Sequence, residues 1–212
     1  MRYDAWYRTP RGRWIGDAEF SLLAEMLRPR TGETLLDVGC GTGYFTRRFA
    51  READTLATGL DPNLSWVGFA QAHAVAGQVC TAGRAEALPF PDRHFDLTLS
   101  VTALCFIDDQ RQALREMLRV TRSRFVLGLL NRHSLLYLKK GRHGGVGDYH
   151  GAQWHTTREI RFLLDGMPVH AVKLRSAIFL PGGGWIARKL EAHLSNKCLL
   201  GGFLVASGYV TE

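Results

Sequence analysis

Residues 35–43 read Leu-Leu-Asp-Val-Gly-Cys-Gly-Thr-Gly, an apolar strand that breaks into three glycines at alternate positions. Leu35, Leu36 and Val38 suit a strand buried on both faces, as in a parallel sheet, and Asp37 puts a carboxylate near its carboxyl end. Gly39, Gly41 and Gly43, with Cys40 and Thr42 between them, permit a tight turn with no Cβ in the way. Tyr44 to Ala53 then reads as a helix, so the turn delivers a helix N-terminus to whatever lies above the sheet. A chain with this run must make a strand, a turn and a helix whose backbone closely approaches a ligand.

The spacing is Gly-x-Gly-x-Gly. A dinucleotide turn is Gly-x-Gly-x-x-Gly, and Tyr44 stands where its third glycine would fall. Asp37, just ahead of the glycines, welcomes a cationic ammonium or sulfonium and repels a pyrophosphate. The run resembles motif I of the class I methyltransferases that use S-adenosylmethionine. That resemblance assigns Asp37, Gly39, Cys40, Gly41, Thr42 and Gly43 to the methionine part of the cofactor.

Two further matches lie where the first predicts them. Asp61, in Gly59-Leu60-Asp61-Pro62-Asn63, closes a second β-like segment. It falls in the range, roughly 20 residues on, at which a carboxylate accepts from ribose hydroxyls. Gly83-Arg84-Ala85-Glu86-Ala87-Leu88-Pro89-Phe90-Pro91-Asp92, followed by Phe95-Asp96-Leu97, is similar to a stretch of the type 11 methyltransferases. That group includes quinone-biosynthesis C-methyltransferases. In the family this loop borders the adenine, which assigns Ala85 and Glu86 here, with Asp61, Pro62 and Asn63 at the ribose. Arg84 departs from the pattern. The family has an aspartate there to accept from the adenine amino group, and arginine has no acceptor. That contact is then absent, moved to Glu86, or left to the main chain of Ala85. Ser100, Val101 and Thr102, past a fourth strand, line the methyl-transfer channel on the same resemblance.

Alternating periods organise the rest of the chain. Strands are expected at 34–38, 55–60, 78–82, 95–101 and 125–130, with helices at 18–28 (capped by Asp17), 44–53, 63–76 and 109–121. This order predicts an α/β fold: a doubly wound, mostly parallel seven-stranded sheet with helices on both faces. The last strand, at 202–210, is antiparallel by likeness to the family; a sixth is expected at 169–180, and helices to Leu164 and over 185–196. We read one methyltransferase domain over 1–212. It divides into a helical lid (1–32), a cofactor core (33–130), a substrate-covering insertion (131–168) and C-terminal strands (169–212).

Side-chain chemistry is sparse. Methyl transfer from a sulfonium needs an in-line nucleophile and exclusion of water, with a base only for some acceptors. His150 and His155, in the Gly/His/Lys-rich tail, are the candidates for that base; the alternative is a lid with no chemical role. Tyr7 and Arg13, in an aromatic and basic N-terminal segment, are placed near the cofactor carboxylate, the alternative being aromatic packing on the sheet edge. The histidine spacing fits no usual metal site, so none is expected.

The net charge of +7 raises nucleic acid as a partner. The basic residues are scattered, however, and the arginines of helices 44–53 and 109–121 are expected on solvent faces. The Asn/Asp-Pro-Pro-Tyr/Phe motif of DNA amino-methylation is absent after the fourth strand. Four cysteines lie far apart, no apolar run spans a membrane, and the opening residues lack a signal-peptide core, so a cytoplasmic protein is expected. The expected function is S-adenosylmethionine-dependent methylation of a small molecule. RNA methylation and a non-catalytic cofactor-binding partner protein are the alternatives.

Overall fold

The glycine run lies at the carboxyl end of the central strand of a seven-stranded sheet, in a computed structural model that describes residues 2–194 and 198–211. The strands are β1 (Thr34–Val38), β2 (Leu56–Asp61), β3 (Gln78–Ala82), β4 (Phe95–Val101), β5 (Thr121–Leu130), β6 (Val169–Ala177) and β7 (Phe203–Val210). Their order is β3-β2-β1-β4-β5-β7-β6. All pairs are parallel except those of β7, which runs antiparallel to both β5 and β6. The strand order reverses between β1 and β4, and there a doubly wound sheet opens a crevice above its carboxyl ends.

Helices α1 (Arg2–Trp6), α2 (Pro10–Leu27), α3 (Tyr44–Glu52), α4 (Leu64–Ala72), α5 (Gln110–Val120), α6 (Leu135–Lys140), α7 (Thr157–Leu164) and α8 (Trp185–His193) surround the sheet. Two cores form, one on each face. On one, Leu35, Leu97, Leu99 and Val126 meet α2 and α3 through Leu23, Leu27, Phe45 and Phe49. On the other, Leu36, Val38, Phe125 and Leu127 meet α5 and α7 through Leu114, Met117, Leu118 and Ile160. The alternation along each strand follows from its period of two. β7 is buried along Phe203, Leu204, Val205 and Ala206, as an interior strand must be.

Several expectations need correction. The first long helix starts at Pro10, capped by the Thr9 side chain accepting from the Gly12 amide, and not at Ala18. Asp17 lies within it and pairs with Arg48 at 2.9 Å. Proline at the first helical position after a threonine cap is a start signal. The glycines masked it, yet Gly12 and Gly16 allow close packing. A Cβ on Gly12 would lie 2.0 Å from the Trp6 carbonyl oxygen, and one on Gly16 would lie 2.4 Å from the Tyr44 hydroxyl.

α4 is shorter than expected and β5 begins earlier, at Thr121. β6 ends at Ala177. The expected end of α8 at Asn196 lies outside the described residues, as do the side chains of Leu190 and His193.

The arginines expected on solvent faces are also corrected. Arg47 donates to Asp4 and to the Thr42 carbonyl, both at 2.6 Å. Arg119 donates to Asp92, Glu116 and the Leu88 and Phe90 carbonyls. Arg124 is buried, holding Glu33 and the end of α2. These cations fasten elements together, so their donors are committed within the fold rather than gathered for a polyanion.

Candidate functional site

The glycine turn is built by backbone constraint. Gly39, Gly41 and Gly43 have φ of 77°, 55° and 74°, a region that favours glycine. A Cβ on Gly39 would lie 2.1 Å from that of Ala103, so β1 and the segment after β4 can meet only at a glycine. The Gly39 and Cys40 amides donate to the Leu60 carbonyl at 2.7 and 3.0 Å, lacing the turn to β2.

Asp61 completes the lacing. Its Oδ2 accepts from the Gly41 amide and its Oδ1 from the Asn63 amide, both at 2.9 Å. Asn63 in turn caps α4. Pro62 stands between them on the same lip. Each carboxylate oxygen keeps a further lone pair for another donor.

Asp37 is buried and accepts from Thr46 Oγ1 at 2.6 Å. Burial pushes its carboxyl up to about 7; the Thr46 bond opposes this, while Cys80 and Asp61 add to it. None of its hydrogen-bond partners is cationic. A buried carboxyl beside a second one is a site that a positive ligand stabilises.

Donors are present too. Gly43 caps α3 with no side-chain hydrogen bond, leaving the first helical turn open to an anionic group. Thr42 Oγ1 and Ser100 Oγ are buried without partners. Thr102, next to Val101 at the end of β4, holds a left-handed φ of 57° while its amide donates to the Gly128 carbonyl at 2.7 Å. A non-glycine residue in that conformation is a mark of sites that need a particular backbone path. Recessed carboxylates, open amides and orphaned hydroxyls fit a zwitterionic sulfonium carrying a ribose.

At the third strand's loop, Ala85 is buried and Glu86 is half-buried. Arg84 points outward, its side chain 71% exposed, and pairs with Glu86 at 2.9 Å. Its side chain therefore stays out of the crevice. Beneath the turn, the Cys40 thiol bonds the Cys80 sulfur, which lowers Cys80 to about 7; Gln78 Nε2 adds a bond at 3.3 Å.

The remaining predicted residues are dispersed. Tyr7 is buried and stacks on Tyr44 of α3 with ring centroids 3.6 Å apart. Arg13 is exposed on the flank of α2, off the stripe that packs. Arg11, on the opposite flank, is the N-terminal cation whose charge reaches Tyr149. His155 is buried, with Nε2 3.0 Å from Gln110 Oε1 and Nδ1 4.0 Å from Cys105 Sγ. Burial lowers its pKa. With both nitrogens engaged inside the core, it ties the covering segment to α5. His150 is exposed beside Tyr149 on that segment. The signal that pattern reading missed is Glu19, a half-buried carboxyl inside the helix expected at 18–28, on the face that packs Ile15, Leu22 and Leu23.

Among the described residues, no three His, Cys, Asp or Glu side chains could hold a metal ion, and no helix is long and apolar enough to cross a membrane. A separate concavity of about 300 Å³, among Gly32, Asp54, Leu56 and Gly77, lies at the amino ends of β1 and β2. It holds none of the motif residues.

Strand order, the antiparallel β7 and the laced turn define a class I methyltransferase fold of Rossmann type. The solved structure of an S-adenosylmethionine-dependent methyltransferase from Thermotoga maritima, a possible histamine N-methyltransferase, superposes with a TM-score of 0.78 at 24% identity. The match covers 99% of this chain and 95% of that one. Residues 36–127 match the type 11 methyltransferase family, described as "Methyltransferase domain". S-adenosylmethionine is the cofactor of that class.

An uncharacterised protein of Mycobacterium tuberculosis is 31% identical over 188 residues, which are 85% of this chain and 62% of that protein. The chain thus spans less than two thirds of that relative's length. The malonyl-[acyl-carrier protein] O-methyltransferase of Erwinia billingiae is 41% identical over 100 residues, 47% of this chain and 39% of that enzyme.

Proposed function

We propose that the chain transfers the methyl group of S-adenosylmethionine to a small-molecule acceptor. The observation that carries the reading is the pairing of a buried Asp37 with Asp61 around a laced glycine turn that leads into a helix start with no side-chain cap. On this reading Asp37 and Gly39–Gly43 hold the aminoacyl end, Asp61, Pro62 and Asn63 the ribose, and Ala85 and Glu86 the adenine. Ser100, Val101 and Thr102 border the reacting methyl, and Tyr7 supports the turn from behind by packing on Tyr44. The bound sulfonium supplies an activated methyl group. The protein's task is to hold the acceptor in line and keep water out.

A small acceptor is supported by segment 131–155, which is tied beside the carboxyl ends of β4 and β5 by the Gln153 amide on the Cys105 carbonyl and the His155 amide on the Leu130 carbonyl. The internal engagement of Arg47, Arg119 and Arg124 argues against an RNA substrate.

A thermal-shift titration tests the reading. S-adenosylmethionine and S-adenosylhomocysteine are expected to raise the melting temperature and NAD to leave it unchanged. Asp61→Ala removes both the ribose acceptor and the Gly41 anchor, so it should lose most of that shift. A full shift in Asp61→Ala, or an equal one with NAD, would falsify the assignment.

A further inference from the structure

Helix α2 packs one stripe of residues on the sheet: Gly12, Ile15, Gly16, Leu22, Leu23 and Leu27 are buried. At about 100° per residue, Glu19 falls in the middle of that stripe, one turn past Ile15 and one short of Leu22 and Leu23. A carboxyl there breaks the pattern. Glu19 is half-buried there; among the described residues, the fully buried carboxyls each have a donor, as Asp37 has Thr46 and Asp4 has Arg47. Glu19 has none.

Two fastenings fix its height on the sheet. The Leu27 and Arg28 carbonyls accept from Arg124 Nη1 at 3.2 and 2.5 Å, near the amino end of β5. Gly16, toward the other end, is pressed on the Tyr44 hydroxyl. From Leu27 back to Glu19 is about 12 Å of helix. From Arg124 to Gly128 is about 13 Å of strand. Glu19 is therefore level with Gly128 and its register partner Val101, on the face that Val101 shares with α2. Its charge acts on the phenols of Tyr44, from α3, and of Tyr149, from the covering segment.

We propose that Glu19 recognises the methyl acceptor, and that this acceptor is a small amine whose ammonium pairs with the carboxylate between Tyr44 and Tyr149. The inference rests on the methyl-transfer reading above. An unpartnered carboxyl in a low-dielectric cleft is costly, and an ammonium supplies both the missing donors and the counter-charge. A neutral alcohol supplies only one donor and no charge. Burial pushes Glu19 up to about 8, which also suits it to take a proton from the ammonium. The freed lone pair then forms the carbon–nitrogen bond as the methyl–sulfur bond breaks. The bonding electrons stay on sulfur, the positive charge moves to the methylated nitrogen, and the proton remains on Glu19.

Isothermal titration with saturating S-adenosylhomocysteine tests this on matched pairs: 2-phenylethylamine with 2-phenylethanol, and tryptamine with tryptophol. The wild-type chain should bind each amine at least about tenfold more tightly than its alcohol, the scale of a charged hydrogen bond. Glu19→Gln should bind both alike while keeping the homocysteine-product shift, and Glu19→Asp should recover part of the preference. No preference in the wild-type chain overturns the proposal, whatever the variants do, and so does a preference undiminished in Glu19→Gln. A wild-type chain that ignores S-adenosylhomocysteine would instead strike down the cofactor reading beneath it.

Discussion

Glu19 and Asp37 are held, by burial, at about 8 and about 7, against ordinary values of 4.5 and 3.8. The sign of the effect on stability follows. Between the ordinary and the raised value the folded chain binds a proton that the unfolded chain has lost, so stability falls as pH rises through that window. For Glu19 the loss grows from about pH 4.5 and levels off above about 8. Glu19→Gln should therefore gain little over wild type at pH 5 and about 1–3 kcal/mol at pH 8.5, in the absence of ligand. Urea midpoints at the two pH values measure it. The charge of this carboxyl reaches the phenols of Tyr44 and Tyr149, as do those of Arg48 and Asp17 for Tyr44 and of Arg11 and Asp148 for Tyr149. A gain that shrinks toward alkaline pH would contradict the placement. The cofactor turn was legible at this scale because its demands are on backbone: glycine at positive φ, a carboxylate at a strand tip. Glu19 was not, because its meaning depends on which way a helix faces.

Elements were read well where one period ran uninterrupted. β1, β3 and β4 begin and end as their patterns predict. The capping box at Thr156 and Glu159 fixes the start of α7, which the threonines announce. The failures share a cause. α2 was cut short by glycines that serve close approach, and the segment after Asn131 folds into short turns governed by contacts with Trp154 and Tyr137 rather than by a period. Arginine roles were misread for the same reason, since a helix face that meets a neighbour is not visible in one sequence. Arg47 makes this testable. It joins α1 to the glycine turn through Asp4 and the Thr42 carbonyl. Arg47→Ala leaves a recessed Asp4 with Arg8 alone, and should cost about 1.5–3 kcal/mol in chemical denaturation. The S-adenosylhomocysteine shift should weaken with it, whereas a purely peripheral pair would cost under about 1 kcal/mol and leave the shift intact.

For the whole molecule, sheet order and handedness were legible because short crossovers leave few choices. The sheet separates two cores, and β7 contributes to both: Leu204 and Ala206 to one, Phe203 and Val205 to the other. Leu204→Ala should destabilise the fold by about 2–5 kcal/mol, read from a urea midpoint. A cost below about 1 kcal/mol would mean the strand is less tightly enclosed than described. The position of β7 also has a consequence for assembly. Among the described residues β6 pairs with β7 alone, yet precedes it along the chain. During synthesis the ribosome thus releases the edge strand before the one that can receive it. Until residues 203–210 emerge, β5 presents an open flank to any extended peptide nearby, a hazard that chaperone binding could relieve.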